Sequence, residues 1–258
     1  MITRKSAREI GQMRRAGRIV AEVLALVESE LRPGITSAEL DRLAEDHIRR
    51  SGATPSFLGY LGGGRYGRGP NAFPASICVS IDDEVVHGIP GDRAIRDGQL
   101  VSVDVGAIVD GWHGDGARTF VVGEVAAGVQ ELVDTTRLGM MAGIAAAIPG
   151  ARLGDISAAI EDVAKPHGYG IVRQFVGHGI GTDMHQDPQV PNYRTGSRGP
   201  ELLPGLCLAI EPMFTLGRSA VRVRPDGWTV VTSDGSLAAH FEHTIAITES
   251  GPEILTKV

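Results

Sequence analysis

The chain has 258 residues, with 25 Lys+Arg against 31 Asp+Glu and a formal net charge of −6. A chain of this length buries roughly 70–75% of its unfolded surface, so it needs neither a disulfide nor a metal to hold a core. Its 42% hydrophobic and 22% charged residues exclude disorder as the main state. The mild acidity argues against nucleic-acid binding through phosphate neutralisation, and no apolar run reaches the about 18 residues that a membrane span needs.

Helices open the chain. Ser6 and Glu9 have capping-box spacing, followed by Ile10, Met13, Ile19, Val20, Val23, Leu24 and Val27 on one helical face, up to Pro33-Gly34. Basic residues precede this apolar stretch as in a signal peptide. Glu22 interrupts it, however, so it reads as an amphipathic helix of a cytoplasmic protein. Thr36 and Glu39 repeat the capping box, and the second helix, with Leu40, Leu43 and Ile48 on its apolar side, stops at Ser51-Gly52. Residues 61–72, LGGGRYGRGPNA, match no phosphate-binding motif and read as a plain flexible loop. Strands are expected at Ser76–Ile81, Leu100–Val105 and Ala117–Val122, and helices at Val129–Ala147 and Asp155–Lys165. Further strands are expected near Ile171–Val176, Leu206–Ile210, Ala220–Val223, Trp228–Val231 and His240–Thr248. Without strict βαβ alternation the pattern is α+β. The two cysteines, Cys78 and Cys207, lie in apolar strand-like runs and read as free thiols in a reducing compartment.

An internal repeat is visible. Residues 98–104, GQLVSVD, align with 205–211, GLCLAIE, each a glycine followed six residues later by a carboxylate ending an apolar strand. Asp110-Gly111-Trp112 recurs as Asp226-Gly227-Trp228, and Asp115 and Glu242 each precede an apolar strand. Two duplicated halves would place a shared site at their interface.

The chemistry is concentrated in carboxylates inside apolar strands: Asp104, Asp115, Glu211 and Glu242. Burying a carboxylate is costly unless it is paired or bound to a cation, and these strands carry too few Lys or Arg to neutralise four. A divalent metal would. His178, between glycines, and His185 supply the imidazoles. Oxygen ligands with one or two imidazoles suit Mn, Fe, Co or Zn. About five such ligands can hold two metals roughly 3.5 Å apart and activate a shared water. No G-x-S-x-G elbow and no HExxH occurs, so neither a serine hydrolase nor a zincin is indicated.

These residues resemble a known family. The segment 83–90, DEVVHGIP, the pair Asp104 and Asp115, the run GHGIG around His178 with His185, IEPM around Glu211 and EHT at Glu242 are together similar to type I methionine aminopeptidases of bacterial kind. The resemblance covers essentially the whole chain. It implies a pita-bread fold, with two pseudo-symmetric halves and a curved antiparallel sheet covered by helices, forming one catalytic domain over 1–258. It further implies that Asp104 chelates one of two divalent ions (Co, Mn, Fe or Zn), that Asp115 and Glu242 bridge both, and that His178 and Glu211 hold the other. Glu211 would take a proton from the bridging water, His185 would bond the scissile carbonyl oxygen, and His87 would contact the leaving nitrogen. The methionine pocket would map onto Phe57, Tyr60, Phe73, Cys78, Met184 and Trp228, with His87 on its wall. Three features depart from the family: a lengthened 61–72 loop, Phe57 where a smaller residue is common, and Met184 in place of a frequent aromatic.

The implied activity is removal of initiator methionine from nascent chains when the second residue is small. The expected protein is a cytoplasmic monomer acting on polypeptide N-termini. The ribosome is a candidate partner, while nucleic acid and membrane are not. An Xaa-Pro-type peptidase of the same fold and a metal-free binding protein are the alternatives. Of the remaining histidines, His47 reads as a helix-surface residue and His167 as a turn residue. His113 lies two residues before Asp115, and His240 shares the alternating face of Glu242, whereas His243 points to the other face.

Overall fold

The computed structural model describes residues 2–67 and 69–258. Helix α1 (Ala7–Glu30) starts at Ser6, whose side chain accepts from the Glu9 N–H while Glu9 accepts from Ser6. Helix α2 (Ser37–Arg50) starts the same way at Thr36 and Glu39. Helices α3 (Ala127–Ala146) and α4 (Leu153–Ala164) form a second pair. In both capping boxes the spacing alone sets the start, because a reciprocal cap satisfies two otherwise orphaned N–H groups.

A nine-stranded sheet runs in the order Thr54–Pro55, Leu100–Val109, Trp112–Val121, Glu242–Thr248, Cys207–Ile210, Gly177–Gly179, Gln186–Val190. Ile77–Ile81 also pairs with Leu100–Val109, and Gly251–Ile254 with Glu242–Thr248. These pairings are all antiparallel. Successive side chains on a strand point to opposite faces, and the sheet uses this in both halves. Ile77, Val79 and Ile81, with Val101, Val103 and Val105, pack beneath α1 and α2. Leu208, Ile210, Ile245 and Ile247 pack beneath α3 and α4. The intervening residues, among them Cys78, Asp104, Ala209 and Glu242, face the other way. Two helix-covered half-cores thus meet where Glu242–Thr248 pairs with Trp112–Val121, which is the pseudo-symmetric arrangement that the repeat and the resemblance imply.

Several expectations need correction. The strand expected at Ile171–Val176 is only Gly170–Ile171, and pairing resumes at Gly177–Gly179. The chain between them turns outward, with the Arg173 guanidinium 4.8 Å over the Tyr193 ring. The strand expected at His240–Thr248 is broken at Phe241 into Ala238–His240 and Glu242–Thr248, which belong to different sheets. The strand expected at Trp228–Val231 is Val230–Thr232, because Asp226 accepts from the Trp228 and Thr229 N–H groups in a turn. The glycine-rich run is not a plain loop either: Tyr60–Gly62 pairs with Arg65–Tyr66 as a small hairpin. Arg68, in the same run, lies outside the described residues.

Candidate active site

Register builds the centre of the site. Cys78 pairs with Asp104, Asp104 with Ala117, and Ala117 with Glu242, forming one row across four strands. Side chains in such a row share a face. Asp115 stands two residues from Ala117 and so shares that face too. On the next strands His178 pairs with Ala209 and Ala209 with Thr244. Glu211 follows Ala209 by two residues and Glu242 precedes Thr244 by two, so both come to the same face. The three ligand-type atoms offered by Asp115, His178 and Glu242 lie within 4.8 Å of one another.

His178 is held by its own backbone. Its Nδ1 lies 3.0 Å from the Gly179 carbonyl oxygen, which can only accept, so Nδ1 carries a proton. Burial pushes its pKa down to about 3. The imidazole is therefore neutral, and its Nε2 lone pair points at Glu211 Oε1 (3.4 Å) and Asp115 Oδ2 (3.9 Å). The carboxylates respond in the opposite sense. Burial raises Asp104 to about 7. Burial, followed by repulsion from neighbouring carboxylates, raises Asp115, Glu211 and Glu242 well above the ordinary range.

The residues fit divalent metal on their own chemistry. Among the described residues, Asp104 Oδ1, Asp115 Oδ1 and Glu242 Oε1 are buried without a hydrogen-bond partner. Three such oxygens on one sheet face, beside a neutral imidazole with its lone pair turned in, form a donor set of hard oxygens and one nitrogen. A hydrogen bond from His Nδ1 to a carbonyl is the usual means of orienting a metal-ligating imidazole.

Beside this cluster opens a cavity, and it is lined by the five residues above with Phe57, Tyr60, Phe73, Cys78, His87, Met184, His185 and Trp228. Phe73 meets Phe57 and Trp228 edge-on, with centroids at 6.4 and 5.2 Å. His87 adopts φ +58° and sets its ring edge-on to Phe175 and Trp228. Burial pushes its pKa down to about 4, so it is neutral near pH 7. His185 stacks obliquely 4.3 Å from His178. Gly106 clears the floor of the cavity: a Cβ there would meet Met184 Cε at 2.9 Å and Phe57 Cε1 at 3.0 Å.

Other residues support the site without having been singled out. The Thr244 hydroxyl accepts from the Asp115 N–H and donates to the Asp115 carbonyl, joining the two halves beside the carboxylates. Asn192 donates to the Glu211 carbonyl. Ser56 meets His113 Nδ1 at 3.0 Å, placing His113 behind the cavity wall. None of the three has a local sequence signal, since each acts through a strand or loop remote in the chain. His240 lies on a different sheet from Glu242, so the shared strand face expected for it does not form, yet its Nε2 comes within 3.9 Å of Glu211 Oε2; His243 bonds Thr256 instead.

Comparison with known proteins agrees with this geometry. The model of metallopeptidase family M24 matches residues 11–249. The methionine aminopeptidase of Clostridium acetobutylicum is 50% identical over 257 residues, covering 99% of each chain. Methionine aminopeptidase 1 of Bacillus subtilis is 47% identical over the full length of both. The crystal structure of the Thermotoga maritima methionine aminopeptidase superposes with a TM-score of 0.94 at 43% identity, covering all of both chains. The prolidase of Pyrococcus furiosus, at 22% identity and a TM-score of 0.77 over 99% of this chain and 65% of that one, shares the fold alone. The fold is the α+β pita-bread fold, and the chain belongs to metallopeptidase family M24, within its methionine aminopeptidase branch.

Proposed function

We infer that residues 1–258 form one catalytic unit that hydrolyses the first peptide bond of polypeptides beginning with methionine, as an initiator-methionine aminopeptidase of the cytoplasm. The observation that carries this reading is the set of unpartnered buried oxygens on Asp104, Asp115 and Glu242, open to a cavity lined by aromatic and sulfur side chains. Two divalent ions, held by Asp104, Asp115, His178, Glu211 and Glu242, would supply the positive charge that lowers the pKa of a water and polarises the scissile carbonyl. Glu211, whose carboxylate lies within 4 Å of His178 and His240, would take a proton from that water. His185 would donate to the carbonyl oxygen as it becomes negative, and the neutral His87 would meet the nitrogen of the leaving peptide. Phe57, Phe73, Cys78, Met184 and Trp228 suit an unbranched thioether, which is polarizable and makes favourable contacts with rings and sulfur.

The Xaa-Pro alternative is disfavoured by the halved identity to prolidases, and the metal-free alternative by the cost of so many unneutralised carboxylates. A monomer fits a site completed within one chain. No helix among the described residues is long and apolar enough to cross a membrane. Nascent N-termini at the ribosome are the natural source of such substrates. The test is to measure bound metal together with cleavage of Met-Ala-Ser and Ala-Pro peptides. Release of methionine that depends on metal is expected, and preference for the Ala-Pro bond would overturn the reading.

A further inference from the structure

The glycine-rich hairpin reaches the reacting centre through a single hydroxyl. Tyr60 Oη lies 2.7 Å from His185 Nδ1, and the two rings lie 5.5 Å apart. Tyr60 is buried, and the return strand of the hairpin packs on it: the Tyr66 ring stands edge-on at 5.4 Å, with its hydroxyl donating to the Ser56 carbonyl at 2.9 Å. Gly62, Gly63 and Gly64 all take positive φ (+85°, +60° and +71°), a turn that only glycine adopts without strain. This turn brings the two strands of the hairpin together, so that Tyr66 packs on Tyr60. Among the described residues the hydrogen-bond partner of the Tyr60 hydroxyl is His185 Nδ1, which is therefore the acceptor at hand for the phenolic proton.

We propose that Tyr60, held by the Gly62–Tyr66 hairpin, is the positioning residue for His185, donating to Nδ1 and so keeping the imidazole proton on Nε2. The proposal rests on the role given to His185 above, since an imidazole can donate to a carbonyl oxygen only from a protonated nitrogen. It assigns a purpose to the glycine-rich hairpin: it orients one tautomer of one histidine. The neutral imidazole divides its proton between two nitrogens according to the partner that each one meets, and a hydroxyl acting as donor at Nδ1 selects the Nε2–H form.

The test uses the full chain loaded with Zn²⁺, which is diamagnetic, with ¹⁵N-labelled histidine; His185→Asn identifies the His185 signals. Wild type should show a protonated Nε2 and a bare Nδ1. Tyr60→Phe, which keeps the ring, should give a mixture of tautomers and lower kcat on Met-Ala-Ser about 10- to 100-fold, the size of effect seen when the partner orienting a metal-bound imidazole is removed, with KM nearly unchanged. The double variant G63A/G64A should give the same mixture. A wild-type Nδ1–H tautomer, or a His185 signal unmoved in both variants, overturns the proposal, as does a rise in KM without a fall in kcat. Should wild type release no methionine at all, the aminopeptidase reading fails while the tautomer measurement still decides the role of Tyr60.

Discussion

Asp104 and Glu242 come from opposite halves of the chain, yet both are backbone partners of the same residue, Ala117. The small Ala117 side chain between them leaves room for two carboxylates on one face. Neighbouring strands are about 4.8 Å apart, so the backbones of these two residues stand about 10 Å apart with the Trp112–Val121 strand between them, and their side chains face the same space above Ala117. Buried carboxylates gathered on one face, Asp115 and Glu211 included, raise one another's pKa values unless a cation intervenes.

Removing metal should therefore make stability depend on pH in a definite direction. A carboxyl with a raised folded pKa opposes folding once ionised; the cost is absent below the ordinary pKa and complete above the raised one. Near pH 6.5 the histidines of the unfolded chain are about half charged, but those buried on folding are neutral in both the stripped and the loaded protein, so their titration cancels in the difference between the two. Asp104, at about 7, loses its proton as pH rises through that value. The gap in Tm between the chelator-treated and the metal-loaded protein should therefore widen as pH rises through 7. Each kcal/mol corresponds to about 2–4 °C for a chain of this size. Calorimetry at pH 6.5 and 8.5, with and without metal, gives the answer, and a gap that narrows contradicts the assignment.

Asp104→Asn keeps the shape and removes the charge. In metal-stripped protein at pH 8 it should raise Tm, since it abolishes a buried ionisation, while metal content measured on the loaded protein falls. A variant less stable than wild type when both are stripped would mean that Asp104 is a structural hydrogen-bond partner instead.

His178 and His185 should separate cleanly, although their rings are only 4.3 Å apart. His178→Ala should lose both turnover and bound metal with the fold intact. His185→Ala should retain its metal and lose kcat by roughly 10²–10³, as for an oxyanion donor. Metal analysis beside steady-state kinetics distinguishes the two, and loss of metal from His185→Ala would make it a ligand.

Selectivity should follow crowding beside the scissile bond. A peptide series Met-Xaa-Ser should be cleaved well for Xaa of Gly, Ala or Ser and poorly for Leu, since an overpacked fit costs about 1–3 kcal/mol, or roughly ten- to a hundredfold in rate. Met184 is almost wholly buried between Gly106 and the cavity. Its flexible thioether should soften the cut-off, and Met184→Phe should sharpen it. An unchanged profile in that variant would remove Met184 from the rim.

What the sequence by itself determined was local. Ser6 with Glu9 and Thr36 with Glu39 predict their helix starts because a cap needs only residues three apart. The carboxylates at 104, 211 and 242 stood out because alternation along one strand shows them flanked by apolar residues, and burial there demands neutralisation. The aromatic pocket was legible only through resemblance. Tertiary structure decided the remainder. That Cys78, Asp104, Ala117 and Glu242 form one row is a matter of register between distant strands, which no local period encodes. The break at Phe241, the Thr244–Asp115 exchange and the contact of Tyr60 with His185 likewise depend on groups that meet only after the halves close. Hydrogen bonds and charge repulsion act over a few ångströms of space, whatever the separation along the chain. The sequence could therefore name the groups, and only the folded sheet could set their distances.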